Sequence, residues 1–399
     1  MKKRGRMAAA VAALAVSMLL LCGCETYDMF YGTFIDRSAE TYETVKIGVF
    51  EPLSGSDKKS GAKEVLGIEL ANELYPTCMG KEVELVYADH KSDIYVAEEV
   101  IQELIEEKPA AILGSYGSVY SLIAGKYVRE AEIPAVAITN TNPLVTKNNP
   151  YYFRVCYVDS YQGVALAKYA AEELAQQKVA ILKPKNDDVA AALSSAFEDK
   201  FVQLTGNSEA VAAILEYDSG AESFAEQLGE IRKSGVKVVF LPASETDGLK
   251  IIREAREEGL PLTFLGTEAW DTQSFAEAIG DASGMAVFSS MYDPNIQSND
   301  TTEKFLAAYR EKYGEDAQPA PETALGFDAY LVTIAALDRI GTAKDGDLLR
   351  QSLQLTLQYP GASGSITLGG DGDPMRSVAV KGIINGKPQK IYTMEPNIG

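Results

Sequence analysis

The sequence predicts an α/β protein of two lobes, each a mostly parallel sheet with helices on both faces. Three observations predict it. Short β-rich apolar runs alternate with helical stretches through most of the chain, and such alternation specifies parallel strands joined by crossover helices. The 399 residues exceed what one core organises, at ~100–200 residues per domain. Apolar residues make up 46% and charged residues 24%, the balance of a chain that buries a core rather than staying unfolded.

The first residues read as an address. Lys2, Lys3, Arg4 and Arg6 precede an apolar run at 7–21. That run is shorter than the ~20 residues a membrane span needs and suits a secretory signal. It ends Leu21-Cys22-Gly23-Cys24, which resembles the bacterial lipoprotein signal. The likeness implies removal of residues 1–23 and acylation of Cys24, which then ties the protein to the membrane. Cleavage without a lipid and an uncleaved anchor are the alternatives. Loss of the four basic residues takes the formal net charge from −20 to −24. Residues 24–43 have no clear period and read as a tether, although they hold Tyr27, Phe30, Tyr31 and Phe34.

The body then follows in order. Residues 44–50 are β-rich, 61–74 helical and 82–88 a strand. Asp93 is placed to cap the next helix, where Ala97, Val100, Ile101, Leu104 and Ile105 recur at one-face helical spacing. A short buried strand at 111–113 precedes a helix at 118–131, and 135–138 is a further strand. The pattern restarts with a helix at 161–176, a strand at 179–182 and a helix at 187–204. A strand at 238–241 leads to a helix with Leu249, Ile252 and Ala255 on one face. Gly259 stops that helix and Pro261 follows it. A strand at 262–266 and helices at 302–313 and 322–340 come next. The end differs: strands at 365–368, 377–384 and 390–393 are joined by Gly-Gly-Asp-Gly-Asp and Asn-Gly turns.

Composition excludes several chemistries. Fifty-seven acidic against 37 basic residues oppose nucleic-acid binding, which needs clustered Lys and Arg. The one His, His90, rules out a multi-histidine metal site and leaves no persuasive Ser–His–Asp set. It reads as a loop residue without a ligand role. Two of the four Cys precede residue 25, so no Cys₄ zinc site fits the body. Cys78 and Cys156 read as buried free thiols, with a disulfide as the alternative. Asp371-Gly-Asp373 reads as a hairpin turn rather than a calcium loop. No metal and no cofactor are expected, and neither glycine-rich nucleotide motif is present.

Ligands of open parallel sheets bind beyond the carboxyl ends of the strands. The loops there read Glu51-Pro-Leu-Ser-Gly-Ser56, Gly114-Ser-Tyr-Gly-Ser118, Thr139-Asn-Thr-Asn142, Pro242-Ala-Ser-Glu245 and Thr267-Glu-Ala-Trp-Asp271. They are rich in hydroxyls, amides and acids. With Phe153-Arg154, Asp159, Gln162-Gly163 and Gly326-Phe-Asp-Ala329, their order resembles the branched-chain amino-acid-binding proteins, the substrate-binding subunits of amino-acid ABC importers, from about residue 45 to 391. The resemblance implies the type I periplasmic-binding-protein fold: two α/β lobes, three crossovers at the hinge, and an amino acid held between them. It puts lobe 1 at 44–158 plus about 291–365, and lobe 2 at 159–290 plus about 366–396.

Carried onto this sequence, the family's site gives Ser118 to the ligand's α-carboxylate, at a helix N-terminus that suits an anion. Thr139 gives its carbonyl to the ammonium. Thr141 gives a hydroxyl, and its amide to the carboxylate. Glu268 pairs the ammonium. Ser60 stands where the family often has an aromatic residue, and Ser244 where a tyrosine is seen. Backbone recognition is thus retained and the side-chain pocket rebuilt, with Tyr116, Tyr157, Tyr161 and Trp270 as lining candidates. Each also has a plain core, rim or capping reading. The implied function is delivery of a branched-chain or related amino acid to ABC permease subunits, without covalent chemistry. A sensor or cell-envelope scaffold of the same fold is the alternative.

Overall fold

The structure, a computed structural model, describes residues 43–280, 284–295 and 299–395. The expected signal, Cys24 and the tether up to residue 42 lie outside the described residues.

In chain order the elements begin β1 (Thr44–Glu51), α1 (Lys58–Leu74), β2 (Thr77–Cys78), β3 (Lys81–Asp89), α2 (Ile94–Glu106) and β4 (Ala111–Gly114). They continue with α3 (Ser118–Glu130), β5 (Ala135–Ala137), β6 (Tyr152–Arg154) and α4 (Asp159–Lys168), which runs into a π-helical turn at Tyr169–Glu173. Next come β7 (Val179–Pro184), α5 (Asp188–Thr205), β8 (Val211–Tyr217), α6 (Ala225–Ser234), β9 (Val238–Phe240), α7 (Glu245–Glu257), β10 (Thr263–Gly266), α8 (Gln273–Ile279) and β11 (Ala286–Ser290). The remainder is α9 (Asp300–Tyr313), α10 (Pro321–Ile340), α11 (Gly346–Gln354), β12 (Tyr359–Gly361), β13 (Gly364–Leu368), β14 (Pro374–Met375), β15 (Val378–Ile384) and β16 (Lys387–Met394). Asp93 caps α2 as its position predicts, accepting the amides of Tyr95 and Val96. The sequence signals leave residues 211–234 unassigned, and an edge strand and a short helix occupy that stretch.

Two sheets carry the lobes. The first has the order β2-β3-β1-β4-β5-β6, the second β16-β15-β11-β10-β9-β7-β8. Pairing is parallel through β1, β4, β5 and β6, and through β8, β7, β9, β10 and β11. β15 and β16 add an antiparallel edge to the second sheet. Pleating divides each second-sheet strand between two cores. Leu182, Val239, Phe264 and Phe288 enter one core; Ile181, Val238, Leu265 and Val287 enter the other. Both faces are thereby covered.

The chain passes between the lobes after β6, after β11 and between β14 and β15. The expected division near residue 365 falls inside the β12-β13-β14 sheet. The hydrogen bonds of that sheet hold residues up to Met375 together, and Arg154 of β6 grips them through the Gly372 carbonyl and Asp373. α10 lies directly on α1. A Cβ on Gly67 would stand 2.0 Å from the Thr323 carbonyl, and one on Gly326 would stand 2.3 Å from the Glu64 carbonyl. Only glycine allows that approach, which presses Glu64 inward from α1.

Cys78 and Cys156 are buried free thiols. His90 lies in the loop after β3, as expected, but is buried there: its Nε2 lies 2.9 Å from Ser115 Oγ, and its ring stacks on Tyr120 at 3.9 Å. Burial lowers it to about 4, so it is neutral. Asp371-Gly-Asp373 forms the β13–β14 turn, and Asp373 pairs Arg154 at 2.7 Å. Among the described residues no helix is long and apolar enough to cross a membrane.

Candidate functional site

Three first-lobe loops gather at the carboxyl ends of β1, β4 and β5. Beyond β4, the Tyr116 amide donates to Glu51 Oε2 at 2.8 Å. Gly117 takes the N-cap of α3 at φ +91°, and no side chain caps that helix. Ser118 is therefore its first helical residue, and in that first turn the Tyr120 amide bonds the Gly117 carbonyl at 3.1 Å. Ser60, in the first turn of α1, sits beside the Tyr116 hydroxyl.

Beyond β5, the Thr139 hydroxyl donates to Glu64 Oε1. Thr141 meets the second lobe: its carbonyl accepts the Asp159 amide at 2.9 Å, and its hydroxyl is hydrogen-bonded to the Asp159 carboxyl. Asp159 opens α4, and burial raises it above the ordinary carboxylate range.

On the other side, β10 ends at Gly266 and a single 3-10 turn follows, Glu268–Trp270. The Glu268 amide donates to Gln162 Oε1 at 3.2 Å, and the same oxygen accepts from Ser289 Oγ at 2.7 Å. Glu268 Oε2 is enclosed without a hydrogen-bond partner among the described residues. Burial first, then the charges of Asp159 and Asp271, push this carboxyl up to about 8. Asp271 itself is paired with Lys381 at 3.0 Å. The Tyr157 hydroxyl lies beside Ser289 and near the Glu268 charge, and burial raises it strongly.

Thr141, Asp159, Glu268 and Tyr157 thus form one neighbourhood spanning both lobes, acidic and short of a cation. The buried guanidiniums nearby are engaged elsewhere. Arg154 holds Asp373, the Asn140 carbonyl and Thr146. Arg376 donates to the carbonyls of Val155 and Met291 and to Ser363. A buried carboxylate oxygen facing no donor is costly. A ligand bringing an ammonium removes that cost.

Two of the residues expected at the ligand have partners within the protein. Trp270 does not sit on the rim: it is fully enclosed in the second-lobe core, its indole N–H bonded to the Ala243 carbonyl at 3.0 Å and its ring 5.0 Å from Phe275. Gly266 and Gly248 clear its slot, since a Cβ on either would lie 2.3 or 2.7 Å from the indole. Ser244 is an exposed N-cap, accepting the Asp247 amide at 3.2 Å. Sequence reasoning also missed a pair of buried carboxyls, Glu51 and Glu64. One signal pointed to Glu64: it shares the helical face of Gly67, Ile68 and Ala71, an acid among buried positions.

Two α/β lobes joined by three passages, with polar recognition loops at the strand ends of each, define a two-lobed ligand-binding protein. The chain belongs to the periplasmic binding protein family, whose model matches residues 44–387. It is 24% identical over 343 residues to the Leu/Ile/Val-binding protein homolog 2 of Brucella abortus (strain 2308), covering 84% of this chain and 89% of that one. It is 22% identical over 310 residues to the leucine-, isoleucine-, valine-, threonine- and alanine-binding protein of Pseudomonas aeruginosa, covering 75% and 80%. Among solved structures, a leucine binding protein of Thermotoga maritima matches with a TM-score of 0.77 at 32% identity, covering 88% of this chain and 99% of that one. A branched-chain amino acid transporter substrate binding protein of Streptococcus pneumoniae, solved with isoleucine, matches with a TM-score of 0.75 at 24% identity, covering 88% and 100%. Membership places the protein outside the cytoplasm, in a family of binding proteins rather than enzymes.

Proposed function

We propose that this protein is the substrate-binding lipoprotein of an ABC importer, that it closes on an amino acid between its lobes, and that it presents the closed state to the permease. The observation that carries the reading is Glu268: a half-buried residue whose carboxyl Oε2 is enclosed and finds no hydrogen-bond partner among the described residues, beside Asp159 and Tyr157 at the meeting of the two lobes. An α-ammonium supplies the missing donor and charge. In this reading Ser118 and the N-terminus of α3 take the α-carboxylate, while the Thr139 carbonyl and Thr141 complete the backbone contacts. Tyr116 with Ser60, and Tyr157, line the side-chain end. Bridging both lobes favours the closed state by differential contact. What the relatives' names say of their ligands supports the same class. Cys24 carries the lipid that holds the protein beside its permease. Lobe 1 comprises 44–158 and about 291–375, and lobe 2 comprises 159–290 and about 376–396.

The test uses residues 25–399 and thermal shift against the common amino acids, since a ligand of the native state raises its melting temperature. At least one amino acid is expected to do so, and Glu268→Ala to abolish the shift with the circular dichroism unchanged. A wild-type protein that no amino acid stabilises, or a Glu268→Ala variant that binds as wild type does, overturns the reading.

A further inference from the structure

Glu51, at the end of β1, and Glu64, on α1, are fully buried within hydrogen-bonding reach of each other. Each also holds one first-lobe recognition loop. Glu51 Oε2 accepts the Tyr116 amide at 2.8 Å, two residues before Ser118, and Glu64 Oε1 accepts the Thr139 hydroxyl. That occupies two of the four carboxyl oxygens. The other two, Glu51 Oε1 and Glu64 Oε2, find no donor among the described residues. Facing carboxyl oxygens can bond only through a proton held between them.

The surroundings leave that proton in place. Lys63, the nearby cation on α1, is engaged with Glu322 of α10 at 2.8 Å. Tyr116 beyond β4, Tyr152 on β6 and Cys156 in the first passage are the other titratable neighbours, and burial keeps each neutral. Burial, and for Glu51 the Glu64 charge as well, hold both carboxyls far above the ordinary range.

We propose that Glu51 and Glu64 are a positioning pair, in which one shared proton clamps the Tyr116 and Thr139 loops to β1 and α1 in the geometry that reads the ligand's carboxylate and ammonium. The proposal rests on the amino-acid reading above. Loss of the proton sets two carboxylates against each other and spreads the two loops apart. Neither residue touches the ligand; both act through Tyr116 and Thr139.

The test compares wild type, Glu64→Gln and Glu64→Ala in residues 25–399, by titration calorimetry from pH 7 to about pH 9.5 with the best-stabilising amino acid. Glutamine offers a carbonyl to Thr139 and an N–H to Glu51, replacing the shared proton with one that does not titrate. Glu64→Ala is expected to weaken binding by about tenfold or more at pH 7, with Glu64→Gln restoring most of it. Across the pH range wild type is expected to lose about tenfold more affinity than Glu64→Gln. The ligand's own ammonium titrates alike in both and cancels. Identical pH profiles for wild type and Glu64→Gln overturn the proposal, as does a Glu64→Ala affinity equal to wild type. If Glu64→Ala does not fold, the first comparison decides. A ligand-free readout separates the two readings. The melting temperature of wild type should fall below that of Glu64→Gln as the pH rises to about 9.5; if the two curves coincide the clamp fails, whether or not any amino acid binds.

Discussion

Ligand binding should expel a proton at neutral pH and tighten as the pH rises toward 8. The group responsible is Glu268, which burial, Asp159 and Asp271 push up to about 8 in the ligand-free protein. At pH 7 its carboxyl is therefore about nine-tenths protonated, whereas an ammonium needs it ionised. If pairing returns it to its ordinary value near 4.5, affinity changes by about tenfold per pH unit between those limits. From pH 8, where half the carboxyls are already protonated, down to pH 6 the loss is about fiftyfold, or ~2.3 kcal/mol. Titration calorimetry in two buffers of unlike ionisation enthalpy counts the protons directly; close to one should leave per amino acid at pH 6–7. Glu268→Gln should bind more weakly, with neither buffer dependence nor pH slope below 8. The same shift has a sign in the ligand-free protein. A carboxyl raised on folding contributes stability that is complete below about pH 4.5 and lost as pH rises through about 8. Ligand-free Glu268→Gln should thus outlast wild type above pH 8 by a few kcal/mol at most, discounted for residual solvent contact. A wild-type protein that releases no proton and holds a constant Kd from pH 6 to 8 refutes this account of Glu268.

Two further outcomes follow from buried groups away from the cleft. Arg376→Met should cost about 3–5 kcal/mol in urea unfolding, because it removes the donors of four bonds to Val155, Met291 and Ser363 and leaves those carbonyls enclosed; a loss under about 1 kcal/mol would contradict it. Cys78 and Cys156, both pushed up to about 12 by burial first, should react with a water-soluble thiol reagent at pH 8 only after urea unfolding, as counted by mass spectrometry on residues 25–399, which hold no other cysteine.

What the sequence made legible was local or periodic. The Asp93-capped helix, the strand runs at 44–50 and 179–182 and the Gly259 stop each announce themselves within a few residues. β6 has only three residues, and β8 lies at an edge with alternating half-buried positions, so neither offers a strong run. The site divided along the same line. Glu268 and Thr141 stand in loops after strands, where position alone is informative. Trp270 stands in such a loop too, yet its slot is cut by Gly248, on a different element, and no local pattern reports that. The Glu51–Glu64 contact joins a strand end to a helix face and then to Thr139, far along the chain. Such a contact exists only once α10 has pressed α1 into place.

The Arg376 cluster bears on how the molecule moves. Arg376 itself stands in the third passage, and its guanidinium holds a carbonyl from the first passage, one just past β11, and Ser363 between β12 and β13. Three independent cords between two bodies permit twisting and sliding as well as bending. Cords pinned at one point act as an axle, and a body on an axle has one angle to lose. An amino acid arriving in the cleft then arrests a single coordinate, so little of its binding energy is spent on taming the scaffold.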